Sequence, residues 1–119
     1  MLDSLRYFFR QCSRDGRPEP AFQDVQFRNG RVPMPYLPVS AAGFAPGMPY
    51  VCLRVPTGGS KTLLACHAVG LAMSALLHAE HAVVLWLVPS NTILDQTADA
   101  LRDPRHPYRR ALDLVCGAV

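Results

Sequence analysis

The chain has almost no lysine. Of its twelve cationic residues, only Lys61 is a lysine and the rest are arginines. Its cysteines, Cys12, Cys52, Cys66 and Cys116, form no Cys-x-x-Cys pair and show no zinc spacing, which excludes a zinc ribbon and a dithiol redox motif. Free cysteine of this kind behaves as a small hydrophobe and fits a reducing, cytoplasmic setting. The histidines, His67, His78, His81 and His106, supply no metal-ligand pattern either. The N-terminus, Met1-Leu2-Asp3-Ser4-Leu5-Arg6, lacks the continuous apolar stretch of a signal peptide. The apolar stretch from Leu63 to Leu77 is too short to span a bilayer and includes His67 and Ser74, so no membrane role is expected. There is no internal repeat, and no Asp-Glu pair follows an apolar run anywhere.

What remains is a chain of 119 residues, half of them hydrophobic, long enough for one modest domain. The net charge of +3 is compatible with a polyanionic partner but does not by itself indicate one. Arg102, Arg105, Arg109 and Arg110 do cluster, either as a solvated helix end and turn or as a phosphate contact.

The single lysine stands in an informative place. It belongs to Val55-Pro56-Thr57-Gly58-Gly59-Ser60-Lys61-Thr62, after the apolar run Tyr50–Val55 and before Leu63-Leu64-Ala65. An apolar strand, a glycine turn and then Lys-Thr opening a helix is the layout of a nucleotide phosphate cradle. Backbone N–H groups of such a turn have no intrahelical partner and are free to face an anion. The ammonium adds charge near the outer phosphates, and the Thr62 hydroxyl is placed to ligate Mg²⁺ held by ATP. Ser60 departs from the G-x-x-x-x-G-K-[ST] pattern, which has glycine there. Its Cβ is expected to cost about 1–3 kcal/mol of local strain. Thr-Gly-Gly-Ser also reads as an ordinary polar turn between two elements.

Along the chain, Leu2, Leu5, Phe8, Phe9 and Cys12 predict an amphipathic helix over residues 1–13. From Arg14 to Met48, frequent proline and glycine predict a loop-rich segment with a short strand at Val25–Phe27. Thereafter the pattern predicts a buried strand at Tyr50–Val55, a helix at Lys61–Leu77 and a buried strand at Ala82–Val88. A helix from Ser90 or Asn91 to about Leu101 follows, then a strand at Leu112–Cys116. The expected fold class is therefore α/β, an incomplete parallel sheet with right-handed crossovers. Residues 1–48 form a helix and a Pro/Gly-rich approach segment, and residues 49–119 form the nucleotide-binding unit.

At these residues the chain resembles superfamily 2 helicases of the DEAD/DEAH-box kind. Arg54–Ala65 resembles their motif I, and is most similar to the helicase (R or Res) subunit of type III restriction endonucleases, with Ser60 where that family has glycine. Leu87-Val88-Pro89-Ser90-Asn91-Thr92-Ile93-Leu94-Asp95-Gln96-Thr97 resembles motif Ia. The resemblance covers residues of about 49–115. It implies part of the first RecA-like P-loop lobe, with Thr57, Gly58, Gly59, Ser60, Lys61 and Thr62 binding ATP and Mg²⁺. It also implies that Pro89, Ser90 and Asn91 contact the DNA backbone without reading sequence. A hydroxyl, an amide and free helix N–H groups suit phosphate oxygens, although Ser-Asn-Thr is equally a helix-capping sequence.

The expected function is that of an N-terminal portion of an ATP-dependent DNA helicase or translocase subunit of a restriction system. In the intact relative a modification or specificity subunit is a possible partner. Without the Asp-Glu pair of motif II, the chain is not expected to hydrolyse ATP alone. Two alternatives stand beside this reading. One is a non-enzymatic interaction module derived from a helicase lobe; the other is a small P-loop phosphotransferase, which residues 62–119 leave little room to complete.

Overall fold

Leu5, Phe8 and Cys12 recur at helical spacing and bury one stripe of the first helix, α1 (Leu2–Asp15). The computed structural model describes residues 2–32, 34–38, 47–55 and 61–116. Gly16, in the left-handed region at φ 71°, ends α1, and its N–H bonds to the Cys12 carbonyl at 2.9 Å.

The next element corrects the loop-and-strand expectation for residues 14–48. Pro18–Arg28 is a helix, α2, and Val25–Phe27 is its last turn rather than a strand. Pro18 and Pro20 fall in the first turn, where backbone N–H groups lack an intrahelical acceptor, so the prolines begin the helix instead of breaking it. Gly30 (φ 65°) closes α2: its N–H reaches the Phe27 carbonyl and the Arg31 N–H reaches Gln26, each at 3.1 Å. Ala21, fully buried, brings α2 against α1. Tyr7 of α1 hydrogen-bonds to Asp24 of α2, and the Arg28 guanidinium lies over the Tyr7 ring, 3.8 Å from its centre.

The helix expected at 61–77 is present in two parts. Lys61–Leu71 is α-helical (α3) and Ala72–Leu77 continues it in π-helical form. Ser74 donates to the Gly70 carbonyl at 3.0 Å across this junction. His78, left-handed at φ 49°, closes the element, and its Nε2 lies 2.9 Å from Ser13 Oγ on α1. Asn91–Arg102 forms α4 and Pro107–Cys116 forms α5.

The α/β expectation is overturned. Every regular element among the described residues is helical, with no strand and no sheet among them. Leu112–Cys116, read as a strand, is the end of α5: Pro107 starts that helix, and Arg109 Nε meets Asp113 Oδ1 at 3.0 Å, four residues on. Tyr50–Val55 and Ala82–Val88 are unpaired, non-helical chain, and neither is buried as expected. They lie beside α3 without a hydrogen-bonded ladder, so the described residues do not form a RecA-like lobe. Packing comes from helices instead: α1 on α2, α3 and the π-helical turn, and α5 on α3 and α4. Leu5, Phe8, Cys12 and Ala21 form the central cluster, with Val51, Ala68, Leu71 and Leu76 packed against it. The N-terminal segment and the chain after residue 49 thus share one apolar core. Among the described residues, no helix is long and apolar enough to cross a membrane.

Candidate functional site

Lys61 is the first residue of α3, and its side chain is exposed. Thr62 follows, half-buried, while Cys66 and Gly70 on the same helix are buried and fix its orientation. The first turn of α3 carries backbone N–H groups without intrahelical acceptors beside this ammonium and this hydroxyl. Thr57, Gly58, Gly59 and Ser60, the remainder of the expected cradle, lie outside the described residues.

Two open clefts meet at Lys61. One, of about 460 Å³, is lined by Cys52–Val55 on one side and by Lys61, Leu64 and Ala65 on the other. The second, of about 600 Å³, runs between Lys61, Thr62, Ala65 and Val69 of α3 and the stretch Val84–Leu87 with Pro89. The structure therefore brings Pro89 of the second motif onto the same cleft as Lys61 and Thr62 of the first. No carboxylate lines either cleft among the described residues.

Ser90 and Asn91 do not line these clefts; they start α4. Ser90 is its N-cap: Oγ accepts from the Ile93 N–H at 3.3 Å, and its carbonyl accepts from the Leu94 N–H at 3.0 Å. Both Ser90 and Asn91 are exposed. The capping role is thus filled, and the exposed first turn of α4 leaves a phosphate oxygen room to approach.

The arginine cluster separates into different roles. Arg109 is structural, paired with Asp113 and donating to the Leu101 carbonyl at 3.1 Å, which ties α5 to α4. Arg102 pairs loosely with Asp99 at 3.8 Å, both side chains well exposed. Arg105 sits in the turn between the two helices, where its N–H is held by Asp103 Oδ1 at 3.0 Å. Arg105 and Arg110 are exposed and have no ion pair among the described residues, so they are the members of the cluster open to an anion.

Sequence reasoning did not single out Arg54 for a role, although it stands directly before Val55. In the structure it shares a cleft with Lys61, so two cations line that cleft. Cys66, one helical turn beyond Thr62, is fully buried, and burial pushes its thiol up from its ordinary value. It is therefore a packing residue rather than a nucleophile. No three His, Cys, Asp or Glu side chains among the described residues gather to hold a metal ion. Magnesium at Thr62 would accordingly depend on the oxygens of a bound triphosphate. The donor set suits that group: an ammonium, a guanidinium, a hydroxyl and helix N–H groups surround clefts of nucleotide size, with no carboxylate lining them among the described residues. Comparison of the chain with protein-family models, curated proteins and solved structures finds no match.

Proposed function

We propose that the chain binds the phosphates of ATP·Mg²⁺ at the start of α3 and the backbone of DNA at the start of α4, as a cytoplasmic protein. One observation carries this reading: Lys61 and Thr62 open a helix on a cleft that also holds Pro89, next to the exposed N-terminus of α4. Lys61 supplies the ammonium to the outer phosphates and Thr62 the hydroxyl to Mg²⁺. The Thr57–Ser60 turn, by the resemblance of its sequence, supplies further backbone N–H groups. Ser90, Asn91 and the neighbouring arginines offer sequence-independent contacts to phosphate oxygens.

This reading is local and needs no sheet. It assigns binding rather than turnover, because the sequence contains no Asp-Glu pair to hold Mg²⁺ and orient water. Calorimetric titration with ATP·Mg²⁺ tests it. The parent chain is expected to bind weakly and Lys61→Ala to lose binding, since no other lysine can take over. Equal binding by the two would refute the assignment.

A further inference from the structure

A third concave surface shares Cys52, Leu53 and Arg54 with the first cleft at Lys61, and its other described lining residues come from α1, α2 and the turn after α2. It is a groove of about 600 Å³ between α1, α2 and the stretch Val51–Arg54. Its floor is apolar: Leu5 and Phe8 belong to the buried core, and Phe22, Val25 and Val51 pack against it half-buried. Its polar lining residues are Arg31, Arg54, Gln26, Asn29 and Ser4, the last two hydrogen-bonded to each other, and no carboxylate lines the groove among the described residues. Arg31 and Arg54 are both exposed and have no ion pair among the described residues.

An apolar trough bordered by cations and neutral polar groups suits a molecule with the complementary division. An uncharged apolar ligand would leave the guanidinium groups unused. An inorganic anion would leave the trough unfilled. A cation would be repelled. We propose that this groove binds an aliphatic carboxylate, with its chain along Phe22, Val25 and Val51 and its headgroup at Arg31 and Arg54. Guanidinium groups suit a carboxylate because they donate in a planar fork matching its two oxygens. The groove shares the stretch Cys52–Arg54 with one cleft at Lys61, but its trough is walled by α1 and α2 and Arg31 belongs to it alone, so the proposal does not depend on ATP binding.

The test uses octanoate, 1-octanol and octylammonium as probes of equal chain length, titrated against the intact chain. Binding is followed by amide chemical shifts. Octanoate is expected to bind and to shift residues of α1, α2 and Val51–Arg54, with octanol weaker and octylammonium weakest. Arg31→Gln is expected to weaken octanoate about three- to tenfold, as befits an exposed charged hydrogen bond, while leaving octanol unchanged. Val25→Trp, which fills the trough from the helix surface, is expected to remove binding with helix content retained. Lys61→Ala is expected to bind octanoate like the parent, which separates this groove from the phosphate site. Octanol binding as tightly as octanoate, an unaffected Arg31→Gln, or shifts confined to α3 and α4 would each overturn the proposal.

Discussion

Ser90 is asked to do two things, and two substitutions separate them. Its hydroxyl caps α4 by accepting the Ile93 N–H at 3.3 Å, and the same exposed residue is proposed to meet a DNA phosphate. A cap of this type is worth about 1 kcal/mol. The bond here lies beyond the usual distance range and is solvent-exposed, so about 0.5–1 kcal/mol is the reasonable expectation. For a chain of this size that corresponds to a fall in Tm of about 2–6 °C for Ser90→Ala. Ser90→Asp keeps an acceptor at the cap and adds a negative charge that the N-terminal end of the helix dipole favours, so stability should be held or slightly raised. The same charge, placed about 4 Å from a phosphate in water, costs about 1 kcal/mol, or roughly a fivefold loss of affinity. Thermal melts and fluorescence anisotropy with a labelled single-stranded DNA, repeated at two salt concentrations, read both effects. Parent binding should be weak, indifferent to sequence and steeply weakened by salt. If Ser90→Asp binds DNA as well as the parent, this helix end does not touch phosphate. If Ser90→Ala melts like the parent, the cap contributes nothing.

Ser60→Gly removes the Cβ that departs from the phosphate-cradle pattern before Lys61 and should tighten ATP·Mg²⁺ by about 1–3 kcal/mol in calorimetry; no change would refute the strain argument. Cys52, exposed, should be alkylated before buried Cys12 and Cys66, as peptide mapping after a short exposure to iodoacetamide would show; faster labelling of Cys12 would contradict its burial. Burial and the nearby Asp15 raise the Cys12 thiol from 9.0 to about 11. The unfolded chain therefore loses this proton first, and stability should fall from about pH 9 and stop falling on this account near 11; denaturant midpoints that stay level across that window in the parent would refute it. Val83 and Leu85 are 100% and 81% exposed, so Val83→Lys and Leu85→Lys should change stability by less than about 0.5 kcal/mol while reducing self-association in sedimentation. A large destabilisation would show that this face is covered.

What the sequence revealed depended on whether a signal was local. The helical stripe of Leu5, Phe8 and Cys12, the start of α3 at Lys61 and the cap of α4 at Ser90 are each set by neighbours within a turn or two, and all were legible. The missed helix α2 was also local, but its prolines pointed the wrong way: Pro18 and Pro20 read as breakers, yet proline in a first turn removes only an N–H that had no acceptor. At α5 the apolar run Leu112–Cys116 was too short to distinguish strand from helix. The tie from Arg109 to Asp113 spans the helical interval, and Pro107 supplies the start. Of the candidate site, Lys61, Thr62 and Pro89 were legible as motif residues. Their common cleft was not, because it is made by Val84–Leu87 lying along α3.

The two apolar runs show most clearly what a one-dimensional pattern leaves out. Tyr50–Val55 and Ala82–Val88 were read as buried strands because they are apolar almost throughout. An apolar run shows what a segment would gain by burial, but not that a partner is there to bury it. In the structure Val51 finds the α1–α2 core, and Val84–Leu87 and Pro89 line the cleft with α3 while Leu85 and Leu87 stay largely exposed and Val83 lies wholly in water. This wall matters for the proposed function, because Val84–Leu87 and Pro89 line the cleft of Lys61 together. Trp86→Ala should therefore weaken nucleotide binding by loosening this wall, while Val83→Ser, fully exposed and outside the cleft lining, should leave it unchanged. Calorimetry on both variants tests the link directly: equal ATP·Mg²⁺ affinity in the parent and Trp86→Ala would show that the start of α3 holds phosphate without this wall.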